Sequence, residues 1–411
     1  MAAMQNKESP FTPGRPVPLD YFVARLNEVN RIEKAIKQAS SGRNENMFIT
    51  GERGIGKSSL ASMIRFLADK EYGFLGVHCY LGGVRDVEGV VRIVFQRLLQ
   101  QTIDKSLFDK LKNLFNKYIK SLTLFGVGVE FTNDPAELKV LKENFLSAVS
   151  EVYETIKDQK KGILLILDDL NGVTGNVEFA PFIKSLVDEL ATSQKICPLI
   201  IILVGVPERR EDLIRHQPSV ARIFNVVELS SLTNDESKEF FDKTFGKANI
   251  EVEPDAYLVL LQFSGGLPML MHEIGDAVFW IDTDGKVDAR DAAMGLVVAA
   301  DNVGRKYLDP QVYQEIKSPT YRSILRKLGK LPIGMNFVRS KLINEMTEKE
   351  KKNFDNFLRK GEKLGIITKG EQRGEYRFVN QLFHLYVLLE AHRATGPFTA
   401  STGPMPSKYL K

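Results

Sequence analysis

Cysteine is scarce. The 411-residue chain has two, Cys79 and Cys197. They lie far apart, each inside an apolar, strand-like run. That excludes a disulfide framework and a cysteine-built metal site, and leaves two small core residues of a protein in a reducing, cytoplasmic setting. Long apolar runs are also missing. None approaches the ~20 residues that a membrane-spanning helix needs, so no membrane partner is expected. Residues 1–18 are polar and dotted with proline, without the apolar core of a secretory signal, and are expected to be flexible. There is no internal repeat and no low-complexity tract. Nor does one sign of charge dominate: 56 Lys and Arg against 52 Asp and Glu leave +4, too little for net charge alone to demand a nucleic-acid partner. What remains is an ordinary globular composition, 43% hydrophobic and 26% charged, with a length suited to two or three domains.

Against that background one stretch carries chemistry. Met47, Phe48, Ile49 and Thr50 form the end of an apolar run that leads into Gly51, Glu52, Arg53, Gly54, Ile55, Gly56, Lys57, Ser58 and Ser59. The spacing is G-x-x-x-x-G-K-S, the phosphate-binding loop. Successive backbone N–H groups make a concave nest for the β- and γ-phosphates. Glycine lets the backbone turn tightly and approach the anion without a Cβ in the way. Lys57 adds a mobile positive charge, and the Ser58 hydroxyl can ligate Mg²⁺. A helical pattern opens at Lys57 and brings its positive dipole end to the same place. The required strand before and helix after are both present in the pattern.

Further along, Ile163 to Leu167 is an unbroken apolar run that ends in Asp168 and Asp169. A strand apolar on both faces belongs in a covered parallel sheet. A phosphate loop needs an acidic residue at the end of a neighbouring buried strand to hold Mg²⁺ from the other side. Asp168 fits that role, and Asp169 would orient or deprotonate the attacking water. Positive charge is also needed on the γ-phosphate as it leaves. Arg222 is the best-placed candidate, with Arg209 and Arg210 as others. Strands near 74–80, 199–205 and 225–229 alternate with helices, so residues 19–232 read as an α/β domain with a parallel sheet. An insertion at about 104–135 combines a Lys-rich amphipathic helix with an alternating, hairpin-like segment at 124–131; residues 138–157 read as one long helix. Past 232 the strands stop. Thr233 and Glu236 have the spacing of a capping box, and four helical segments fill 233–316. Residues 317–377 then hold 16 Lys and Arg against 7 Asp and Glu. The pattern of 317–393 is three helices and a two-stranded wing, closed by a last helix: a winged-helix arrangement. Residues 394–411, rich in Gly, Pro, Ser and Thr, form a flexible tail.

These stretches together resemble the AAA+/STAND group of P-loop ATPases, close to archaeal-type, transposition and replication-initiator ATPases. The resemblance covers about residues 20–390. It rests on the phosphate loop, the Asp168–Asp169 ending, the lead-in Phe22-Val23-Ala24-Arg25-Leu26-Asn27-Glu28, and Gly265-Gly266-Leu267-Pro268. In the family the lead-in lies against the adenine and the proline of the second motif sits near the nucleotide. The resemblance therefore implies that Phe22, Val23, Arg25 and Pro268 join the nucleotide site and that the four helices at 233–316 act as a lid. The chain departs from the family in three places. Ala24 replaces a glycine. The run ending Leu203-Val204-Gly205 lacks the polar sensor residue, and no arginine lies near Pro268 as a second sensor. Both sensor departures imply slow turnover, a switch rather than a motor.

Two readings of the output follow. In the first, an ATP- and Mg²⁺-dependent switch rearranges or oligomerises and acts on DNA through the winged helix, with Lys349, Lys351, Lys352, Arg359, Lys360 and Lys363 on phosphates. In the second, a signalling or defence ATPase forms a homo-oligomer or a complex with a protein partner, and the insertion supplies the surface. A metabolic P-loop kinase is disfavoured by the lid motif and the winged-helix pattern.

Overall fold

The apolar runs of the sequence become the strands of one parallel sheet. They are seen in a computed structural model that describes residues 7–101, 110–111, 113–115, 117–118, 123–125, 128–130, 133–193 and 197–393. In chain order the strands are β1 (Asn46–Gly51), β2 (Phe74–Tyr80), a separate hairpin of β3 (Thr123–Phe125) and β4 (Gly128–Glu130), then β5 (Gly162–Asp168), β6 (Leu199–Val204) and β7 (Phe224–Leu229). The sheet order is β2-β5-β6-β1-β7, and every pair in it is parallel. β1, β5 and β6 are buried along their whole length, which is why they read as unbroken apolar runs. β7, at the edge, buries Phe224, Val227 and Leu229 but exposes Asn225 and Glu228. Both cysteines are free and buried.

The chain divides into two compact units. One holds the described residues of Pro16–Ser230; the other joins the described residues from Ser231 to Arg393 to those from Lys7 to Arg15. For its described part, from Lys7 onward, this grouping corrects the expectation of a flexible stretch at residues 1–18. From Lys7 the chain is placed against the C-terminal unit, and Phe11 is only 4% exposed there. The reason is aromatic: Phe11 packs among Phe240, Phe241 and Phe245. The long helix expected at 138–157 is two, Pro135–Glu143 and Phe145–Ile156. The break is at Asn144, whose side-chain amide donates to Val140 O at 2.8 Å and so competes with the helical ladder. Most of the insertion, and the tail 394–411, lie outside the described residues; Leu111 and Phe115 of the insertion are buried in the core of the α/β unit.

In the C-terminal unit four helices follow in series: Asn234–Lys247, Pro254–Ser264, Pro268–Ile281 and Ala289–Val303. The first opens with the capping box of Thr233 and Glu236. The last runs on into a π-helical stretch, Gly304–Tyr313. Two short strands, β8 (Glu251–Val252) and β9 (Lys286–Val287), pair in parallel beside them. Next come helix Pro319–Gly329, β10 (Phe337–Val338), short helix Arg339–Leu342, helix Glu348–Lys363, β11 (Ile367–Lys369), β12 (Glu375–Phe378) and helix Gln381–Arg393. The expected two-stranded wing has a third strand: β10 pairs with β12, giving the antiparallel order β10-β12-β11. The closing helix buries Leu382, His384, Leu385, Tyr386, Val387, Leu388, Leu389 and Ala391, so it is interior on nearly all sides. Tyr386 packs where a Cβ on Gly304 would stand, 2.2 Å from the ring, and its hydroxyl donates to Asp309 Oδ1 at 2.7 Å. Residues 233–316 and 317–393 thus share one core. Among the described residues no helix is long and apolar enough to cross a membrane.

Candidate nucleotide-binding site

β1 ends at Gly51, and the chain turns sharply into the helix Lys57–Lys70. Gly51 has φ +148, and a Cβ there would lie 2.6 Å from Leu229 O on the neighbouring β7. Gly56, at φ +95, is the N-cap residue and offers no capping side chain. The first-turn amides of this helix are therefore left without a side-chain acceptor, the arrangement that suits an anion. Lys57 Nζ folds back and donates to Gly51 O at 2.9 Å and Glu52 O at 2.7 Å. Burial pushes its pKa below the ordinary lysine value; the Asp168 carboxylate opposes that shift, Arg53 reinforces it, and Glu208 and Glu52 oppose it. Lys57 and Asp168, remote in sequence, thus act on each other electrostatically.

Asp168 closes β5 and is 2% exposed. Its Oδ1 accepts the Asp169 N–H at 2.8 Å. Its Oδ2 lies 3.0 Å from His78 Nε2; an ionised carboxylate can only accept, so the imidazole is the donor. One strand, β6, separates β1 from β5, which puts the loop and the Asp168 carboxylate on strands about 10 Å apart. Asp169 is exposed and has φ +59, a conformation that non-glycine residues adopt at a cost and that clusters at functional sites. Asn171 Nδ2 donates to its Oδ1, and a Cβ on Gly82 would lie 2.7 Å from its Oδ2. The Asp169 carboxylate is therefore held over the turn that follows β2.

The lead-in segment meets the loop from the other side. Val17 N–H donates to Ser59 Oγ at 3.1 Å. Arg25, buried and at φ +63, donates from Nη2 to Ile55 O at 3.3 Å and from Nη1 to Glu28 Oε1 at 3.4 Å. Ala24 also has positive φ, +59, the region that glycine occupies most easily. Phe22 and Val23 are half-buried in the same segment. The structure thus gathers Phe22, Val23, Arg25, Gly51–Ser59, Asp168 and Asp169 in one unit. Two expected participants stand differently. Arg222 is exposed on the short helix Val220–Ile223 and its guanidinium donates to Ser219 Oγ at 3.5 Å, not to the loop or the aspartates. Pro268 belongs to the C-terminal unit, at the start of helix Pro268–Ile281. Arg209 is paired with Asp212 at 2.7 Å.

Two residues were missed. His78 was visible as the one histidine in the run Phe74 to Cys79, but only the register of β2 on β5, with Tyr80 opposite Asp168, shows what it reaches. The Tyr80 ring stacks on it with centroids 4.4 Å apart. Glu208, in the first turn of helix Pro207–His216, bears on Lys57 only because β6 lies next to β1.

Residues 21–202 match the family profile described as AAA ATPase domain. A Walker-type ATPase of Pyrococcus abyssi has a similar structure, at TM-score 0.53 and 17% identity over 89% of this chain and 96% of that one. So does the ORC2 protein of Aeropyrum pernix, solved as ADPNP–ADP complexes, at TM-score 0.51 and 14% identity over 94% of this chain and 99% of that one. An uncharacterised HTH-type transcriptional regulator of Methanocaldococcus jannaschii is 21% identical over 234 residues, 56% of this chain and 55% of the relative; the chain spans about half the length of that curated relative. Residues 21–202 thus match an AAA ATPase domain, and the chain has the fold of a P-loop ATPase.

Proposed function

We propose that the chain is a slow, Mg²⁺-dependent ATP-hydrolysing switch of the STAND-like kind, and that its C-terminal unit delivers the output to DNA. The observation that carries the first part is the meeting of Lys57, the buried Asp168 and the strained Asp169 in one unit. Ser58 and Asp168 offer a hydroxyl and a carboxylate, an oxygen donor set suited to a small hard cation that keeps part of its water shell. Bound Mg²⁺ would neutralise charge on the β- and γ-phosphates. Lys57 Nζ would exchange the Gly51 and Glu52 carbonyls for phosphate oxygens. Asp169 would hold the attacking water, with Asn171 fixing one of its carboxylate oxygens. Slow turnover is supported by the apolar end of β6 (Leu203, Val204) with Gly205 after it, and by the absence of arginine from helix Pro268–Ile281. Arg222 acts on the γ-phosphate only if a rearrangement or a second copy brings it there.

The second part rests on a stripe. We read Pro319–Phe378 as a winged helix. On helix Glu348–Lys363 the exposed residues Lys349, Lys352, Asn356, Arg359 and Lys363 follow the spacing of one helix face, opposite the buried Glu350, Phe354, Phe357, Leu358 and Gly361. Lys351 and Lys360 face elsewhere, bonded to Glu348 at 2.8 Å and Glu315 O at 2.7 Å. Four cations in line suit a phosphate backbone, and the HTH-type regulator among the relatives is in keeping with it. The test is duplex-DNA affinity measured against salt. A steep fall supports the reading; flat or absent binding makes the stripe a solvated face and moves the output to a protein complex. Lys57→Ala should abolish nucleotide binding; retained affinity would remove the site from the loop.

A further inference from the structure

Residues 7–12 form no helix or strand, yet they are held at three points along one helix. On helix Pro268–Ile281 and its C-cap, His272, Gly275, Phe279 and Asp282 are spaced i, i+3, i+7 and i+10, a single face. Each meets residues 7–12. The Phe11 ring lies 4.8 Å from the Phe245 ring centroid, 6.0 Å from Phe240, 6.5 Å from Phe241 and 6.2 Å from His272. A Cβ on Gly275 would stand 2.2 Å from that ring, so the missing side chain is what admits it. Thr12 N–H donates to His272 Nδ1 at 3.2 Å. Lys7 Nζ donates to Phe279 O at 2.8 Å and Asp282 O at 2.7 Å, lies 3.4 Å from Asp282 Oδ2, and sits 4.5 Å over the Phe279 ring. An ammonium on the last carbonyls of a helix also complements its dipole. The lengths agree: ten helical residues from His272 to Asp282 span about 15 Å, and five extended residues from Lys7 to Thr12 about 17 Å.

We propose that this face is a peptide-binding groove, and that residues 7–12 are its built-in ligand, a latch bound in cis. The groove would accept an extended peptide with an ammonium four residues before an aromatic ring. The segment contributes no strand and no helix, so it can leave without breaking a ladder. Three anchors then open together: a ring socket, a carbonyl pair and an imidazole acceptor. Because the chain continues from Thr12 into Val17, bonded beside the phosphate loop, the latch is covalently continuous with the candidate nucleotide site.

The test uses full-length chains and a fluorescent peptide of residues 7–16, followed by anisotropy. Phe11→Ala empties the socket, so that variant should bind the peptide about tenfold or more tighter than wild type does, and a peptide carrying Phe11→Ala should lose about tenfold or more. A variant that keeps its circular dichroism and melting but binds no peptide, or binds both peptides alike, overturns the proposal. Should the variant not fold, wild type with fluorinated Phe11 is titrated with peptide instead. A shift of the ¹⁹F signal towards that of free peptide supports the groove; an unmoved signal at saturation refutes it. A concentration-dependent dimer abolished by Phe11→Ala would overturn occupancy in cis.

Discussion

His78→Phe isolates one contact at the centre of the site. Phenylalanine fills the volume of the imidazole and keeps a ring for Tyr80 to stack on. What it removes is the donor 3.0 Å from Asp168 Oδ2. Asp168 then keeps only the Asp169 N–H on its other oxygen, and the side chain is 3% exposed, so bulk water does not replace the lost partner. A hydrogen bond to a charged group contributes about 1.5–3 kcal/mol. Outer partners of a metal-binding group typically carry about 10–100-fold of the affinity, or about 1.4–2.7 kcal/mol. We therefore expect His78→Phe to weaken divalent-cation binding by about 10–100-fold in the presence of a slowly hydrolysed ATP analogue, with nucleotide affinity in the absence of cation unchanged. Mn²⁺ as a spin probe, titrated by EPR, reads this without turnover. A dissociation constant within about twofold of wild type, in a variant with unaltered melting, would refute the argument that His78 positions Asp168.

Other perturbations test the fold and the output. Gly265 and Gly266 both have positive φ, but a Cβ meets nothing within 4 Å at Gly265, while at Gly266 it lies 2.0 Å from Leu232 O, whose own amide donates to Gly266 O at 2.8 Å. Gly265→Ala should cost about 1 kcal/mol from left-handed strain, and Gly266→Ala about 2–3 kcal/mol as the Leu232 bond is also lost; equal urea midpoints would contradict this. Burial holds His272 and His384 at about 4, well below the ordinary 6.5. As pH falls, the unfolded chain takes up these protons first. The C-terminal unit should therefore be unaffected above 6.5 and lose stability between 6.5 and 4, up to about 2 kcal/mol per histidine at pH 5. Glu350 adds a second window. Burial acts to raise it, but hydrogen bonds from Lys327, Ser323 and Thr347 outweigh that and hold it at about 2, below the ordinary 4.5. Its stabilisation is present above 4.5 and is lost between 4.5 and 2. Urea titrations at pH 7.5, 5 and 3.5 check both, and a flat profile refutes them. Replacing Lys349, Lys352, Arg359 and Lys363 with glutamine should lower the slope of log affinity against log salt by about 3–4 for duplex DNA; an unchanged slope places the contact elsewhere.

Much of this was legible in the sequence, for local reasons. The phosphate loop is a contiguous motif, and β1, β5 and β6 are apolar on both faces, so their hydropathy alone marks a covered parallel sheet. Thr233 and Glu236 announced a helix start through a capping box that involves only four residues. What escaped depends on register and long-range packing. His78 matters because β2 lies on β5 in one particular alignment. β10 is two residues long and gains its partner, β12, from nearly 40 positions away. Phe11 sits in a polar, proline-containing stretch, and nothing nearby in sequence reveals the aromatic cluster that buries it. Ala24 reads as a departure from a glycine pattern, and its φ of +59 gives the physical meaning of the family's glycine.

The central claim is that ATP is hydrolysed at this loop with Asp169 holding the attacking water. Single-turnover hydrolysis of γ-labelled ATP, with ATP binding measured on the same samples, tests it most directly. The wild-type chain with Mg²⁺ should release phosphate slowly but completely, and an Asp169→Asn variant should bind ATP as tightly yet release phosphate at least about 100-fold more slowly. Normal phosphate release by Asp169→Asn would contradict it.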